Sequence, residues 1–270
     1  MTCFCHVTDG RDDAEMRSWS RASIRKFCPG HDVITVTADG LYGEGLADET
    51  VVDATATWHT AFGKEKAGDP CAGNRRFPKL VFLKFLLPLV PELSGYDSIV
   101  AVDGDMEAVS PAFAAIVGER VPKDADVLMC PSGLKDADRC RNPGLARSNP
   151  NRWASELTYR TAGLVVMRSG DSAPGYLFRV RQAFAAEEAE RYFLPEEYAA
   201  NFFLVVADLD PRYHTIPDMP EAGRTGAKGE RLANAWCLHY GGPRKRAVRE
   251  SWKRRFAEGR PTDPLHLIET

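Results

Sequence analysis

The sequence predicts an α/β domain built around a largely buried sheet, and three observations carry that reading. Short apolar runs recur along the chain: Cys3–Val7, Val33–Thr37, Ser98–Val102 and Thr161–Met167. Strands covered on both faces read as continuous runs of this kind. The first two enclose a helix-forming stretch, which makes a β-α-β opening of the sort that begins nucleotide-binding sheets. The third ends in Asp103-Gly104-Asp105, and open α/β sheets hold their ligands just beyond the carboxyl ends of their strands.

The elements follow in order. Cys3 to Val7 is a strand closed by the loop Thr8-Asp9-Gly10, and 12–27 has helical spacing. Val33-Ile34-Thr35-Val36-Thr37 is the second strand, dominated by β-branched residues. Residues 38–75, rich in Gly, Asp and Thr, contain no assignable element. Residues 77–87 are predicted as a helix with an apolar stripe, running into Pro88 and Pro91 and feeding the strand that ends at Val102. A short helix over 112–117 and a strand over 126–130 come next. Residues 131–152, with Asn142-Pro143-Gly144 and Asn149-Pro150, read as a long loop of the kind that serves as a lid or binding loop. A strand over 161–167, helices over 175–190 and 195–206, and a short strand over 236–240 complete the pattern. No repeat and no low-complexity linker interrupts it. One domain over 1–245, followed by a basic helical tail over 246–270, is the economical division.

With 270 residues, 44% apolar and 27% charged, the chain has ample material for a core. Its net charge of −3 offers no general attraction for nucleic acid or anionic membrane. The exception is local: Arg244, Lys245, Arg246, Arg249, Lys253, Arg254 and Arg255 crowd one segment, most of them expected on a solvated helix face. Seven cysteines lie at scattered positions without metal-site spacing. Cys3 and Cys5 read as small core residues, and free thiols suit a reducing compartment. No signal pattern opens the chain. The most apolar stretch, 80–90, is too short to span a bilayer. A cytoplasmic protein, free or peripheral to a membrane, is the expectation.

Two Asp separated by one position point the same way from an extended chain. Side by side they repel unless a cation sits between them. Hard oxygen ligands at the mouth of an α/β sheet suit a divalent metal whose remaining ligands are phosphate oxygens. A surface turn is the competing reading, since Asp-Gly is a common turn pair. Glu196-Glu197 at a helix start would complement the helix dipole, and a histidine beside aromatics, such as His239, is often a core residue.

The order and spacing of these segments add what each lacks alone. Lys84-Phe85-Leu86-Leu87-Pro88, Asp103-Gly104-Asp105, Tyr159-Arg160-Thr161-Ala162-Gly163, Glu196-Glu197 ahead of Asn201, and His239-Tyr240-Gly241-Gly242-Pro243-Arg244-Lys245 together resemble glycosyltransferase family 8. Those enzymes are metal-dependent, retaining nucleotide-sugar transferases with the GT-A fold, a Rossmann-like mixed sheet flanked by helices. The resemblance runs from Val7 to Lys245. It implies that Asp103, Asp105 and His239 ligate Mn²⁺ or Mg²⁺. A nitrogen ligand tilts that choice toward Mn²⁺. It implies that Gly104 and Gly242 let the backbone approach the donor, that Lys245 contacts the diphosphate, and that Thr8 and Asp9 meet the nucleobase, expected to be uracil. Lys84 stands where the family has a basic residue, often Arg, that touches sugar and phosphate; Lys79 is the fallback. Glu196 would bond sugar hydroxyls. Glu197 would lie near the anomeric carbon, stabilising an oxocarbenium-like transition state or attacking that carbon covalently; the alternative is a same-face displacement in which the leaving phosphate takes the acceptor proton.

Two departures concern the sugar and the acceptor. Thr161-Ala162-Gly163 replaces the family's usual Asn-Ala-Gly, and Glu196-Glu197 its usual Asp-Gln. A UDP-sugar donor and a hydroxyl acceptor on a glycan or lipid-linked glycan are the expected partners. A phosphate-rich acceptor such as DNA with a hydroxylated base is permitted by the basic segment, but no stripe of basic and aromatic residues supports nucleic acid. A relative that binds a nucleotide sugar without transferring it is the second reading. A phosphohydrolase of the haloacid dehalogenase type is disfavoured. Glu107 stands where that motif has Thr or Val, and the acidic pair does not follow the first strand.

Overall fold

The computed structural model describes residues 1–9, 14–42, 48–72, 75–131, 159–170, 174–190, 195–217, 226–227, 229–240, 246–247 and 249–250. Gly242, Lys245, all but the first residue of the predicted loop over 131–152 and most of the basic segment lie outside them. Among the described residues no helix is long and apolar enough to cross a membrane.

Seven strands form one sheet in the order β3-β2-β1-β4-β7-β6-β8. β1 (Thr2–Val7), β2 (Asp32–Thr37), β3 (Thr50–Asp53) and β4 (Ser98–Val102) run parallel to one another. β6 (Val127–Pro131) and β8 (Val206–Asp208) are parallel to each other, and β7 (Arg160–Arg168) lies antiparallel between β4 and β6. β7 alone therefore runs against the rest. A second sheet pairs β5 (Met106–Ala108) with β9 (Cys237–His239), antiparallel.

Alternating side chains divide the core between the two faces of the large sheet. Cys3, Cys5, Ile99, Ala101, Val165 and Met167 pack on one side with helices α2 (Thr55–Phe62), α3 (Tyr176–Glu190) and α4 (Pro195–Phe203). Phe4, Val100, Val102, Leu164 and Val166 pack on the other with the end of α1 (Ala14–Phe27) and the 3₁₀ segment Pro111–Gly118. Cover on both faces is what makes these strands read as unbroken apolar runs. The six described cysteines are free and buried. A further short helix, α5 (Gly229–Ala233), precedes β9.

Several expectations are corrected. The stretch over 77–87 is not an α-helix with one apolar stripe but a 3₁₀ segment, Lys79–Leu89, that passes through Pro88 and is buried along most of its length. It lies between the sheet and helices α2 and α3, so every face has a neighbour. The helix over 112–117 is likewise 3₁₀. The helix expected over 195–206 ends at Phe203, and Val206 already belongs to β8. Residues 38–75 contain β3 and α2. Arg249 does not lie on a solvated face. It is buried, makes two bonds of 2.7 Å to the buried Glu107 carboxylate, and stacks 3.7 Å above the Trp19 ring.

Candidate active site

The carboxyl ends of β1 and β4 and the start of β7 meet at one edge of the sheet. β7 arrives there with its first residues because it runs the opposite way. Asp103 leaves β4 with its N–H donated to the Gly163 carbonyl at 2.9 Å, so the acidic pair is anchored to β7. Met106 lies opposite His239 in the small sheet, and Tyr240 donates its N–H to the Asp105 carbonyl at 3.0 Å. This pairing brings His239 from the far end of the sequence to the acidic pair.

A cavity of 420 Å³ opens at this edge, within the usual range for small-molecule sites. Thr8 and Asp9 from the end of β1, Lys84 from the 3₁₀ segment, Asp103, Gly104 and Asp105 after β4, and Glu196 from α4 all line it. Glu197 and His239 stand beside these residues. Lys79 turns away and pairs with Glu65 at 2.7 Å, so of the two lysines Lys84 faces the cavity.

Lys84 is buried and donates to Asp103 Oδ1 at 2.7 Å and to the Ala162 carbonyl at 2.8 Å, with Glu196 Oε1 at 4.0 Å. Burial disfavours its charge, but Asp103, then Glu196 and Glu197, outweigh that effect and raise its pKa. Glu196 differs from its neighbour. Its Oε2 is buried without a partner among the described residues, and burial, opposed by Lys84 and reinforced by Asp103 and Glu197, lifts its pKa to about 7. Glu197 is tied down at both oxygens, by the Tyr159 hydroxyl at 2.5 Å and the Ala162 N–H at 2.8 Å. Asn201 fixes the approach of α4 to β7: its Oδ1 accepts from the Arg160 N–H, and its Nδ2 donates to the Arg160 and Glu197 carbonyls.

Asp103, Asp105 and His239 each offer a ligand atom, and these atoms lie within 4.8 Å of one another. Two carboxylates and an imidazole form a donor set suited to a divalent cation of the Mn²⁺ or Mg²⁺ type. Asp105 Oδ1 lies 3.1 Å from His239 Nε2. Burial works against a charge on His239, but Asp105 prevails and its pKa is raised.

Sequence reasoning missed His214. Its Nε2 lies 2.8 Å from His239 Nδ1 and 3.2 Å from Thr161 Oγ1. Burial, followed by the neighbouring His239, drives its pKa well below the ordinary value. The adjacent Thr215 bonds β9 on both sides, donating to the Cys237 carbonyl and accepting from the His239 N–H. Only this spatial pairing marks His214; nothing in its local sequence does.

Gly163 makes room for both rings. A Cβ there would stand 2.7 Å from His214 Nε2 and 3.2 Å from His239 Nδ1. Both rings are hemmed in, so Gly163→Ala is expected to cost about 1–3 kcal/mol, the usual range for overpacking a filled interior. Chemical denaturation of the two proteins checks this, and an unchanged midpoint would mean that the rings move freely.

No protein-family model matches the chain, and no curated protein matches it. Solved structures do. The galactosyltransferase LgtC in complex with donor and acceptor sugar analogs superposes with a TM-score of 0.59 at 12% identity, over 96% of this chain and 94% of that one. The bifunctional glycosyltransferase WbbM gives a TM-score of 0.57 at 10% identity, over 95% of this chain and 51% of that one. Mouse xyloside xylosyltransferase 1 gives 0.55 at 11% identity, over 88% and 96%. A mixed, mostly parallel sheet flanked by helices in a single domain, superposing on these transferases along nearly its full length, is the GT-A fold.

Proposed function

We propose that this protein is a retaining, metal-dependent glycosyltransferase of the family 8 type, transferring a hexose from a UDP-sugar to a hydroxyl group. The observation that carries the reading is the convergence of Asp103, Asp105 and His239 at the mouth of a ligand-sized cavity in a GT-A fold. The sugar analogs in the LgtC structure support it, as does the order of the motifs along the chain.

In this reading the three side chains hold a divalent cation, Mn²⁺ by preference because one donor is nitrogen. When bound, the cation offsets charge building on the departing diphosphate. Thr8 and Asp9 meet the uracil end of the donor. Lys84 holds Asp103 in place and presents positive charge to the donor phosphates. Gly104 and Gly242 permit close approach of the backbone, and Lys245 adds a further charge to the diphosphate.

The two glutamates take different tasks. Glu196 has an unpartnered oxygen beside the cavity and is suited to binding a sugar hydroxyl. Glu197 has both oxygens engaged, which dulls it as a nucleophile and favours displacement on one face of the sugar. In that displacement the acceptor oxygen bonds to the anomeric carbon as the sugar–phosphate bond breaks. The acceptor proton passes to the leaving phosphate oxygen. A cell-surface or lipid-linked glycan is the acceptor class proposed, at the cytoplasmic side of a membrane.

The test is direct: incubation with UDP-glucose, UDP-galactose or UDP-N-acetylglucosamine and Mn²⁺, followed by assay of released UDP. Release with one of these, abolished by a chelator, is expected. Binding of UDP-sugars without any release would instead identify a non-catalytic sugar-nucleotide receptor.

Glu196 also sets a pH dependence. Its pKa in the folded protein, about 7, lies above the ordinary 4.5, so the folded state binds the extra proton more tightly than the unfolded chain. Its contribution to stability is complete below about pH 4.5 and is lost as pH rises through 7. Thermal midpoints measured between those values are expected to decline with pH in the native protein and to decline less in Glu196→Gln. Parallel curves for the two proteins would remove Glu196 as the source.

A further inference from the structure

We propose that His214 is a positioning residue for the cation site, holding His239 in the ring orientation and tautomer that metal ligation requires. The inference rests on the metal reading given above.

Imidazole binds a metal through the lone pair of one nitrogen, which leaves the ring proton on the other. At His239 the nitrogen facing Asp105 is Nε2, 3.1 Å away. The proton must therefore reside on Nδ1 and needs an acceptor in a buried place. His214 Nε2 stands 2.8 Å from that atom. With that proton on His239 Nδ1, the 2.8 Å contact requires His214 Nε2 to present its lone pair.

The surroundings are built to keep this contact. Thr161 Oγ1 approaches His214 Nε2 at 3.2 Å, and the Thr215 backbone bonds β9 immediately beside His239. The absence of a side chain at Gly163 leaves space for the two rings to meet edge to face, with centroids 4.8 Å apart. Metal-ligating histidines commonly donate their second nitrogen to a carboxylate, a carbonyl or water, and loss of that partner lowers metal affinity about 10–100-fold. Here a second histidine takes that part. The arrangement also gives the threonine at 161, where the family resemblance expects asparagine, a role beside the cation site.

The test compares Mn²⁺ binding by full-length wild type, His214→Phe and His214→Gln, by isothermal titration with and without UDP. His214→Phe fills the same space without an acceptor and is expected to weaken Mn²⁺ binding about 10–100-fold. His214→Gln returns an oxygen acceptor and is expected to stay within a few-fold of wild type. Should the phenylalanine variant fail to fold, ¹⁵N-histidine spectra of wild type with Mg²⁺ and UDP decide. A proton on His239 Nδ1 with a coupling across the hydrogen bond to His214 Nε2 is expected, and the lack of that coupling overturns the proposal. Unchanged Mn²⁺ affinity in His214→Phe overturns the positioning role alone. A wild type that binds no Mn²⁺, even with UDP, overturns the metal reading and this inference with it.

Discussion

Asp105→Asn is expected to lower Mn²⁺-dependent release of UDP from a UDP-hexose by at least about a hundredfold while leaving the thermal midpoint nearly unchanged. The size follows from the several kcal/mol that a metal acting as a Lewis acid contributes, each 1.36 kcal/mol being about a factor of ten in rate. Asp105 is the cleaner target of the acidic pair. Its side chain meets His239, and among the described residues no buried lysine pairs with it. Asp103 is the nearest carboxylate to the buried Lys84 among the described residues, so Asp103→Asn removes a proposed ligand and also strips a buried cation of its closest counter-charge. That variant is expected to lose both turnover and stability. The contrast between the two separates the chemistry from the packing. Wild-type turnover in Asp105→Asn would end the metal assignment.

Arg249→Met carries the largest expected effect on stability. The guanidinium and the Glu107 carboxylate are each about 3% exposed and form a bidentate pair, with the Trp19 ring against the cation. Removing one partner strands the other charge in the interior, a change that costs about 3–5 kcal/mol in buried pairs. In a chain of this size each kcal/mol corresponds to about 2–4 °C, so a fall in midpoint of roughly 10 °C is expected by calorimetry. The double variant Arg249→Met with Glu107→Leu is expected to recover most of the loss, since an apolar replacement of both partners removes the stranded charge. A single variant as stable as wild type would show that water reaches Glu107.

Legibility in the sequence tracked burial. β1, β2, β4, β6 and β7 are covered on both faces and announce themselves as apolar runs. β3 is a largely exposed edge of four residues, and β5 and β8 have three each, made by pairing with distant partners; β9, also of three residues, is the short strand expected over 236–240. The Lys79–Leu89 segment misled because its apolar residues face neighbours on every side, so no single stripe describes it. At the site, strand geometry placed Asp103 and Asp105 on one side of the chain but left a surface turn as the competing reading. His239 and Lys84 needed the spacing of distant motifs as well. His214 was invisible, because what distinguishes it is a ring-to-ring contact made by a parallel bridge to β9. The contrasting environments of Glu196 and Glu197 were equally hidden, since Tyr159 and the Ala162 amide choose between adjacent residues of the same type.

The reversed course of β7 bears on how substrate preference could be altered. A mutagenesis library confined to loops that follow strands would sample Thr8, Asp9 and the residues after Val102. It would overlook Tyr159 and Ala162, which hold Glu197 and Lys84 from the opposite polarity, and Thr161, which meets His214. Under the transferase reading proposed above, engineering a new sugar preference calls for randomising where this strand begins.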